Sequence, residues 1–315
     1  MTISKTSSAR TAGVGIASLA AILATSLLTA CSGSSESSSS PPASAGTTSG
    51  GSSGSSNLRS LLPEDIQKRG YLTDLLQSPN APMEYTETNG GPVIGVDIDM
   101  ADALGQALGV KIKKQYVTDF TQLIPSIQTS RADFVLSAVT DKKSRQQVVN
   151  FVDYFRTGSV FMGMTKNSDV RQLTDLCGKT VVAATGTTYP DEVAKISKET
   201  CEGSGKPAIK VITAQSSADQ ILQVRDGRAV ANLVGVEPLA YQMKLEPNQW
   251  VGIGEPFARS IYGIVYSKRN DQLGKALQAA LQKIIDDGTY AKVLQKWNLS
   301  SAAVAKAGVN TGTTS

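Results

Sequence analysis

The sequence predicts an α/β fold of two lobes that are joined by two crossings of the chain. From residue 71 onward, short apolar runs typical of buried strands alternate with amphipathic helical patterns. The chain has 315 residues, of which 40% are hydrophobic and 18% charged, and this leaves room for two lobes. Extended apolar runs over residues 158–165 and 257–267 are predicted to carry the chain into the second lobe and back.

The first 30 residues are predicted to be a lipoprotein signal peptide. Lys5 and Arg10 form a basic start, and residues 12–28 carry no charge. A transmembrane helix is the alternative, but the apolar stretch is short and rich in Gly, Ser and Ala. Residues 28–31 (LTAC) resemble a bacterial lipobox, which makes Cys31 the expected lipidated, palmitate-bearing residue at the outer face of the cell membrane.

Two other segments are predicted to lack fixed structure. Residues 31–57 are almost entirely Ser, Gly, Pro, Thr and Ala, which cannot bury enough apolar surface to order the chain. They are predicted to form a disordered tether with a reach of roughly 25–30 Å. Residues 300–315 are small and polar, and we expect a flexible tail there.

The elements of the first lobe, residues 58–158 and 261–299, follow from apolar periodicity. In chain order the patterns predict a short helix ending at Gly70, a strand over 71–77, a helix over 95–108, a strand over 111–117, a helix over 119–130, a buried strand over 133–139 and a closing helix pair over 270–297. Asp97 and Asp99 fall in the first turn of a helix, where the helix dipole favours acids, so we interpret them as capping rather than catalytic residues.

The second lobe, residues 159–260, repeats the alternation of strands and helices. Strands are predicted over 180–184, 210–214 and 229–234, with helices from about residue 191 and over 217–225. Cys177 and Cys201 also lie here. In an exported chain an even pair of cysteines indicates a disulfide, and two buried free thiols are the alternative.

The composition excludes several classes of function. The chain has no histidine, which removes Ser–His and Cys–His nucleophilic machinery and disfavours most zinc sites, so neither a metal nor another cofactor is expected. Lys and Arg number 31 against 27 Asp and Glu, and they form no basic stripe. A nucleic-acid partner is therefore not expected.

Two turns are predicted to face an anionic ligand. The buried strand over 133–139 runs into a polar turn at Thr140, and Arg145 opens the next helix, so a carboxylate could bind at the end of this strand. In the second lobe, Thr187 and Thr188 follow Gly186 directly before a helix, where backbone N–H groups are free. The alternatives are a solvated surface arginine and ordinary N-capping by threonine.

These motifs together resemble the family 3 solute-binding proteins of polar amino-acid ABC transporters. The resemblance covers roughly residues 58–299. The matching motifs occur in the order typical of the family. They are GVDIDMADALGQALG (95–109), Phe120 with Leu123, Ile124 and Pro125, the strand that ends at Ser137, Arg145, the Gly-Thr-Thr turn and DGTYAKVLQKW (287–297). It implies the two-lobed periplasmic-binding-protein-like (type II) fold, with a ligand held between the lobes.

The resemblance also implies most of the ligand contacts. Arg145 and the amide of Thr140 would hold a carboxylate from the first lobe, and Thr187 and Thr188 would close on it from the second. Near the end of the same strand, Ser137 and the carbonyl of Ala138 are further expected contacts. Phe120 either lines the cleft or packs in the core.

The chain departs from the family pattern at two places. Asn80 stands where the family commonly has an aromatic residue that stacks on the ligand, so the ligand side chain is smaller or more polar, or Tyr85 supplies the stacking. Val230 and Gly235 stand where two aspartates are usual, the second of which binds the α-ammonium group. Glu237 either replaces that aspartate or is a solvated surface acid, in which case the ammonium site is absent.

The predicted function is therefore that of the substrate-binding component of an ABC importer. A monomer outside the cytoplasm would capture an amino acid or related small carboxylate, close around it and deliver it to the membrane permease. A dehydratase-like cleft enzyme is an alternative, but the sequence offers no histidine and only Glu237 as a well-placed general acid or base. A surface binding or signalling lipoprotein without a transport role is the other alternative.

Overall fold

The structure is a computed structural model that describes residues 58–313. The predicted signal peptide, Cys31 and the predicted tether lie outside these residues. Within them, no helix is both long enough and apolar enough to cross a membrane.

The first lobe begins with helices and strands in alternation. After a 3₁₀ turn at Leu58–Leu61, the elements are α1 (Glu64–Arg69), β1 (Tyr71–Gln77), α2 (Val96–Leu108), β2 (Lys111–Val117), α3 (Leu123–Gln128), β3 (Phe134–Val135) and α4 (Lys143–Gln146). Strands β1 and β2 pair in parallel along their whole length, as the sequence pattern requires. Gly70 adopts a left-handed conformation (φ 74°) and ends α1 as its C-cap.

Two long strands carry the chain between the lobes. Strand β4 (Val149–Met164) pairs antiparallel with β8 (Trp250–Ser267), from Val149 opposite Ser267 to Met164 opposite Trp250. The two crossings expected from the apolar runs are therefore confirmed. Strands β4 and β8 are each longer than the apolar run that predicted them. Because both strands belong to both lobes, one sheet passes through the molecule, in the order β2-β1-β3-β8-β4-β7-β5-β6.

The second lobe lies between these crossings, and the chain then returns to complete the first. Its elements are β5 (Thr180–Ala184), α5 (Tyr189–Ile196), β6 (Lys210–Ala214), α6 (Ser217–Arg225), β7 (Ala231–Gly235) and α7 (Val236–Leu245). After β8 come α8 (Asp271–Asp286), α9 (Thr289–Lys296) and the short strand β9 (Gly308–Val309).

Each lobe has its own hydrophobic core. Two clusters take all their buried members from residues 62–155 and 262–307, and two others take theirs from residues 160–253. The closing helix α9 packs on the first of these cores through Tyr290 and Leu294, as expected. The hydroxyl of Tyr290 donates to the carbonyl of Tyr154 at 2.7 Å, which fixes this helix against β4.

Asp99 also holds α9 in place. Its carboxylate accepts hydrogen bonds from the Trp297 indole at 2.7 Å and the Lys296 ammonium at 2.6 Å. Asp99 therefore joins α2 to α9, which is more than the capping role that its position predicted.

The flexible tail expected over residues 300–315 is wrong for the part that the structure describes. Strand β9 pairs with β4, with Val309 opposite Val152. The amide of Gly312 donates to the Asp141 carboxylate at 2.7 Å, and the small glycine allows this approach, since a Cβ there would lie 2.1 Å from the Asp141 carbonyl oxygen. The tail is ordered because its backbone groups find partners on the first lobe.

The cysteine pair of the second lobe forms the expected disulfide. Cys177 and Cys201 are bonded, with their Cα atoms 5.4 Å apart, and Cys201 is fully buried. This confirms the prediction of a disulfide and rules out two free thiols.

We expect reduction of this disulfide to lower the free energy of unfolding by about 3 kcal/mol. The bond joins residues 24 positions apart, and such a cross-link restricts mainly the unfolded chain. Urea denaturation with and without reductant measures the effect. A Cys177→Ala/Cys201→Ala double variant should match the reduced protein, and equal stability of the oxidised and reduced forms would contradict the prediction.

Candidate functional site

A cavity lies between the two lobes, where strands from both of them end. Gln77, Ala184 and Gly235 are the last residues of β1, β5 and β7, and all three line it. Open α/β sheets bind ligands at the carboxyl ends of their strands, so this is the expected place for a site. The predicted ligand contacts that line the cavity are Asn80, Phe120, Ala138, Thr140, Arg145, Thr187 and Thr188.

Arg145 is held in the cavity wall by contacts to both lobes. Its guanidinium donates to the carbonyl of Thr140 at 2.9 Å and to the carbonyl of Gly186 at 3.0 Å. It also lies over the ring of Phe120, 5.6 Å from the ring centre. Burial lowers the pKa of Arg145 to about 10, so the side chain remains charged at neutral pH.

The turn before α5 presents its threonines in two different ways. The hydroxyl of Thr187 donates to the carbonyl of Ala184 at 2.7 Å and accepts from the amide of Tyr189 at 3.2 Å, so it stabilises the turn itself. Thr188 is buried in the cavity wall, and its side chain makes no capping hydrogen bond to α5. The Thr188 hydroxyl is therefore the one suited to a ligand.

The two lobes touch each other around the cavity. Lys142 of the first lobe lies 3.5 Å from the Asp191 carboxylate of the second. Gly186 (φ 78°) packs against Thr121, and a Cβ at Gly186 would lie 2.6 Å from the Thr121 methyl group. Together with the bond from Arg145 to Gly186, these contacts define a closed cleft.

Ser137 does not line the cavity, contrary to expectation. It is fully buried behind the wall, where its oxygen accepts from the Gln77 amide at 2.9 Å and its hydroxyl donates to Glu84 at 2.8 Å. The same Glu84 oxygen accepts from the Asn80 side chain at 3.2 Å. Ser137 and Glu84 therefore support Asn80 from behind.

Asp97 lies in the first turn of α2, as predicted, but it also supports the neighbouring part of the wall. The carboxylate is fully buried and accepts from the Ala138 amide at 2.9 Å and from the Tyr154 hydroxyl at 2.7 Å. Ala138 has a left-handed backbone (φ 47°), which is strained for a non-glycine residue, and the bond to Asp97 stabilises it. Burial raises the pKa of Asp97 to about 7.

Tyr85 lies outside the cavity, so it does not replace the aromatic residue missing at Asn80. Its ring packs edge-on against Tyr241, with centres 5.1 Å apart, and against Trp297 at 6.2 Å. Tyr85 belongs to the first lobe and Tyr241 to the second, so this aromatic contact is part of the lobe closure.

Glu237 is not a solvated surface acid. The residue is 2% exposed, and neither of its carboxylate oxygens has a hydrogen-bond partner among residues 58–313. A Cβ at Gly235 would lie 2.5 Å from Glu237 Oε2, so this carboxylate occupies the space into which a side chain at position 235 would project. Glu237 does not itself line the cavity, but Gly235, Pro238 and Tyr262 around it do. Burial raises the pKa of Glu237 to about 7.

Several residues of the cavity wall were not found from the sequence. They include amide and tyrosine side chains at Gln77, Tyr189, Gln215, Gln220, Asn232, Tyr241, Gln242 and Tyr262. Asn232 had a detectable signal, because a polar residue inside the apolar strand ANLVG must find a partner when buried. Among the described residues, no cluster of His, Cys, Asp or Glu suits a metal ion.

The fold and the cavity define a binding protein whose two lobes close around a small ligand. Residues 75–300 match the family model of bacterial extracellular solute-binding proteins, family 3. This match covers more than half of the chain, and the protein belongs to that family.

Individual relatives are similar over most of their length. The arginine-binding protein ArgT of Corynebacterium glutamicum is 24% identical over 253 residues, which are 80% of this chain and 82% of that protein. The structure of holo ArgBP from T. maritima matches with a TM-score of 0.63 and 28% identity, covering 75% of this chain and 99% of the other. An ancestral amino acid-binding protein described as a precursor of cyclohexadienyl dehydratase matches with a TM-score of 0.66 and 27% identity, covering 76% and 99%.

Proposed function

We propose that this protein captures an amino acid between its lobes and presents it to the permease of an ABC importer. The observation that carries the proposal is that Arg145 of the first lobe and the turn at Thr188 of the second meet at one closed cavity. Family membership supports the transport role, and the relatives above are named for arginine or amino-acid binding.

The ligand carboxylate would bind between Arg145, Thr140 and Thr188. A guanidinium matches a carboxylate with two parallel hydrogen bonds, and its contacts to Thr140 and Gly186 preorganise it. Thr188 adds a hydroxyl from the opposite lobe. A ligand bound in this way contacts both lobes and therefore favours the closed form over the open one.

The α-ammonium group would bind between the carbonyl of Ala138 and the carboxylate of Glu237. Glu237 lies in the space next to Gly235 where the side chain of an aspartate would otherwise project. An unpaired buried carboxylate is costly, and a ligand cation would offset that cost. Glu237 would thus replace the missing aspartate from a position two residues later.

We expect Glu237→Gln to weaken amino-acid binding at least about tenfold at pH 8, because the ammonium loses its charged partner. In the wild type, affinity should fall as the pH decreases from 8 to 6, since Glu237 with a pKa of about 7 becomes protonated. Asp97, Tyr189 and Tyr262 are the titratable groups that interact with its charge. Calorimetric titration at pH 6, 7 and 8 measures both effects.

The matched control for this experiment is Glu255→Gln. Glu255 is an exposed glutamate on β8 and does not line the cavity, so this variant should bind as the wild type does at each pH. Glu237→Gln should lose most of the pH dependence. A wild-type pH dependence that persists unchanged in Glu237→Gln would assign it to another group and remove Glu237 from the ammonium site.

A thermal-shift screen tests the proposed function directly. The purified protein is heated with amino acids, with amines and with small carboxylates that lack an ammonium group. At a concentration one hundred times its dissociation constant, a ligand should add about 2.7 kcal/mol of stability, which raises the melting temperature by several degrees. Stabilisation by amino acids supports the proposal, and no stabilisation by any of the three groups would reject it.

The remaining predictions form part of the same proposal. The first lobe would span residues 58–158 and 261–299 and the second residues 159–260, which the separate clusters of buried residues support. Cys31 would carry the lipid that anchors a monomer at the membrane surface. The alternative of a dehydratase-like enzyme is less well supported, because the chain has no histidine and the proposed pairing with the ligand cation would hold Glu237 in its charged form.

A further inference from the structure

We propose that the side chain of the ligand ends in a guanidinium group, which amide oxygens of the cavity wall bind without help from a carboxylate. The inference rests on the proposed function, because it concerns the same cavity. Its basis is the hydrogen bonding of five of the six amide side chains that line the cavity: Gln77, Asn80, Gln220, Asn232 and Gln242.

Four of these amides already use an N–H group within the protein. Gln77 donates to the carbonyl of Thr118 at 3.2 Å, and Gln242 donates to the Glu246 carboxylate at 2.9 Å. Because a carbonyl or carboxylate oxygen only accepts, the nitrogen of each amide must face it. Each side chain then has its oxygen and one remaining N–H group for other contacts.

The amide groups of Asn80 and Gln220 are oriented in the same way, with the nitrogen facing an acceptor oxygen. Asn80 donates to the Glu84 carboxyl at 3.2 Å, and Gln220 donates to the carbonyl of Ser216, one turn earlier in α6, at 3.4 Å. Turning either amide over would place two acceptor oxygens against each other. The cavity wall therefore presents amide oxygens from β1, from the loop after it, from α6 and from α7.

The side-chain oxygens of Gln220 and Asn232 give separate evidence for a ligand that donates hydrogen bonds. Oε1 of Gln220 and Oδ1 of Asn232 are buried, and neither has a hydrogen-bond donor among residues 58–313. The two side chains are 3% and 1% exposed. Buried acceptors of this kind are rare and costly in folded proteins, and a ligand with N–H groups would satisfy both.

The acceptors distinguish between the possible ends of a ligand side chain. A guanidinium has five N–H donors and no acceptor, so it matches a wall of oxygens. A carboxylate has only acceptors and cannot satisfy the unpaired oxygens of Gln220 and Asn232, and a carboxamide or ureido group has fewer N–H donors than a guanidinium and brings an additional acceptor. The positive charge is tolerable because guanidinium is weakly hydrated and can lie against an aromatic face such as that of Tyr241.

Calorimetric titration of the purified protein with four matched amino acids tests the inference. We expect L-arginine to bind at least tenfold more tightly than L-citrulline, its neutral isostere, and at least a hundredfold more tightly than L-glutamine or L-glutamate. Equal or tighter binding of citrulline, glutamine or glutamate would overturn the guanidinium assignment and leave the proposed function standing. Absence of binding by any amino acid would overturn both.

A single variant separates ligand binding from structural support. Gln220→Met removes the unpaired acceptor at nearly constant volume, so arginine affinity should fall at least tenfold while the melting temperature without ligand stays the same or rises. Gln223→Met on the same helix is the control, because Gln223 does not line the cavity. Unchanged arginine affinity in Gln220→Met would overturn the proposed role of this oxygen.

Discussion

Replacing Arg145 by alanine is expected to weaken amino-acid binding at least about a thousandfold, or about 4 kcal/mol, without unfolding the protein. Truncation of one partner of a buried, hydrogen-bonded charge pair leaves the ligand carboxylate without its counter-charge. The folded state should tolerate the change, because within residues 58–313 Arg145 donates to just two backbone carbonyls and its burial opposes the charged form. Calorimetric titration measures the affinity, and thermal denaturation measures the fold.

Two further variants show whether charge or geometry matters at this position. Arg145→Lys keeps the positive charge but cannot form two parallel bonds to a carboxylate, so its affinity should lie between those of the wild type and the alanine variant. Arg171→Ala removes an arginine that also donates to backbone carbonyls, at Asn167, Val170 and Thr165, but lies outside the cavity. Its affinity should be unchanged. An Arg145→Ala protein that keeps its affinity within about tenfold would remove Arg145 from the carboxylate site.

Arg145 also connects binding to closure. Its bond to the carbonyl of Gly186 crosses the cleft, and Gly186 packs on Thr121 beside it. The same side chain is therefore placed to bind the ligand and to join the lobes. A ligand carboxylate that orders this guanidinium also orders the contact that closes the cleft, which couples the two events.

The sequence predicted the parts of the fold that depend on local pattern. Alternating strands and helices, the two crossings and the disulfide between Cys177 and Cys201 all follow from apolar runs or from compartment chemistry. The buried strand expected over 133–139 is only Phe134–Val135 in the structure. The reason is that side chains replace its ladder partners: the Leu136 amide donates to Asp74 at 3.0 Å, and the Ser137 oxygen accepts from Gln77.

The parts that the sequence did not predict depend on contacts between distant residues. The tail is small and polar, so its sequence alone predicts disorder. It is ordered because the Asp141 carboxylate, which is distant in sequence, accepts a hydrogen bond from the Gly312 amide. Likewise, the local sequence around Glu237 is the same whether its side chain is exposed or fills the space beside Gly235. The path of the chain from β7 into α7 decides between these two positions. The donor or acceptor role of an amide such as Gln220 is set by its partner, which periodicity does not reveal.

Without ligand, the protein is expected to be more stable at pH 5 than at pH 8, by at least about 3 kcal/mol. Burial raises the pKa of Glu237 and of Asp97 to about 7 each, and it also raises the pKa of Asp74 and Glu84. Between pH 4.5 and 7 the native state therefore binds more protons than the unfolded chain, so the free energy of unfolding falls as the pH rises through this window.

Urea denaturation at pH 5, 6, 7 and 8 in the absence of ligand measures this fall. Acids whose pKa is lowered from its ordinary value, such as Asp119 and Asp175, change stability only below about pH 4, so they do not offset this fall. An Asp97→Asn/Glu237→Gln double variant, which cannot acquire either buried charge, should show a flatter profile, and the slope that remains would come from Asp74, Glu84 and Asp153. Wild-type stability that is constant or increases from pH 5 to pH 8 would mean that these carboxyls are already charged and compensated in the closed protein. In that case, protonation of Glu237 between pH 8 and pH 6 would not explain a pH-dependent ligand affinity.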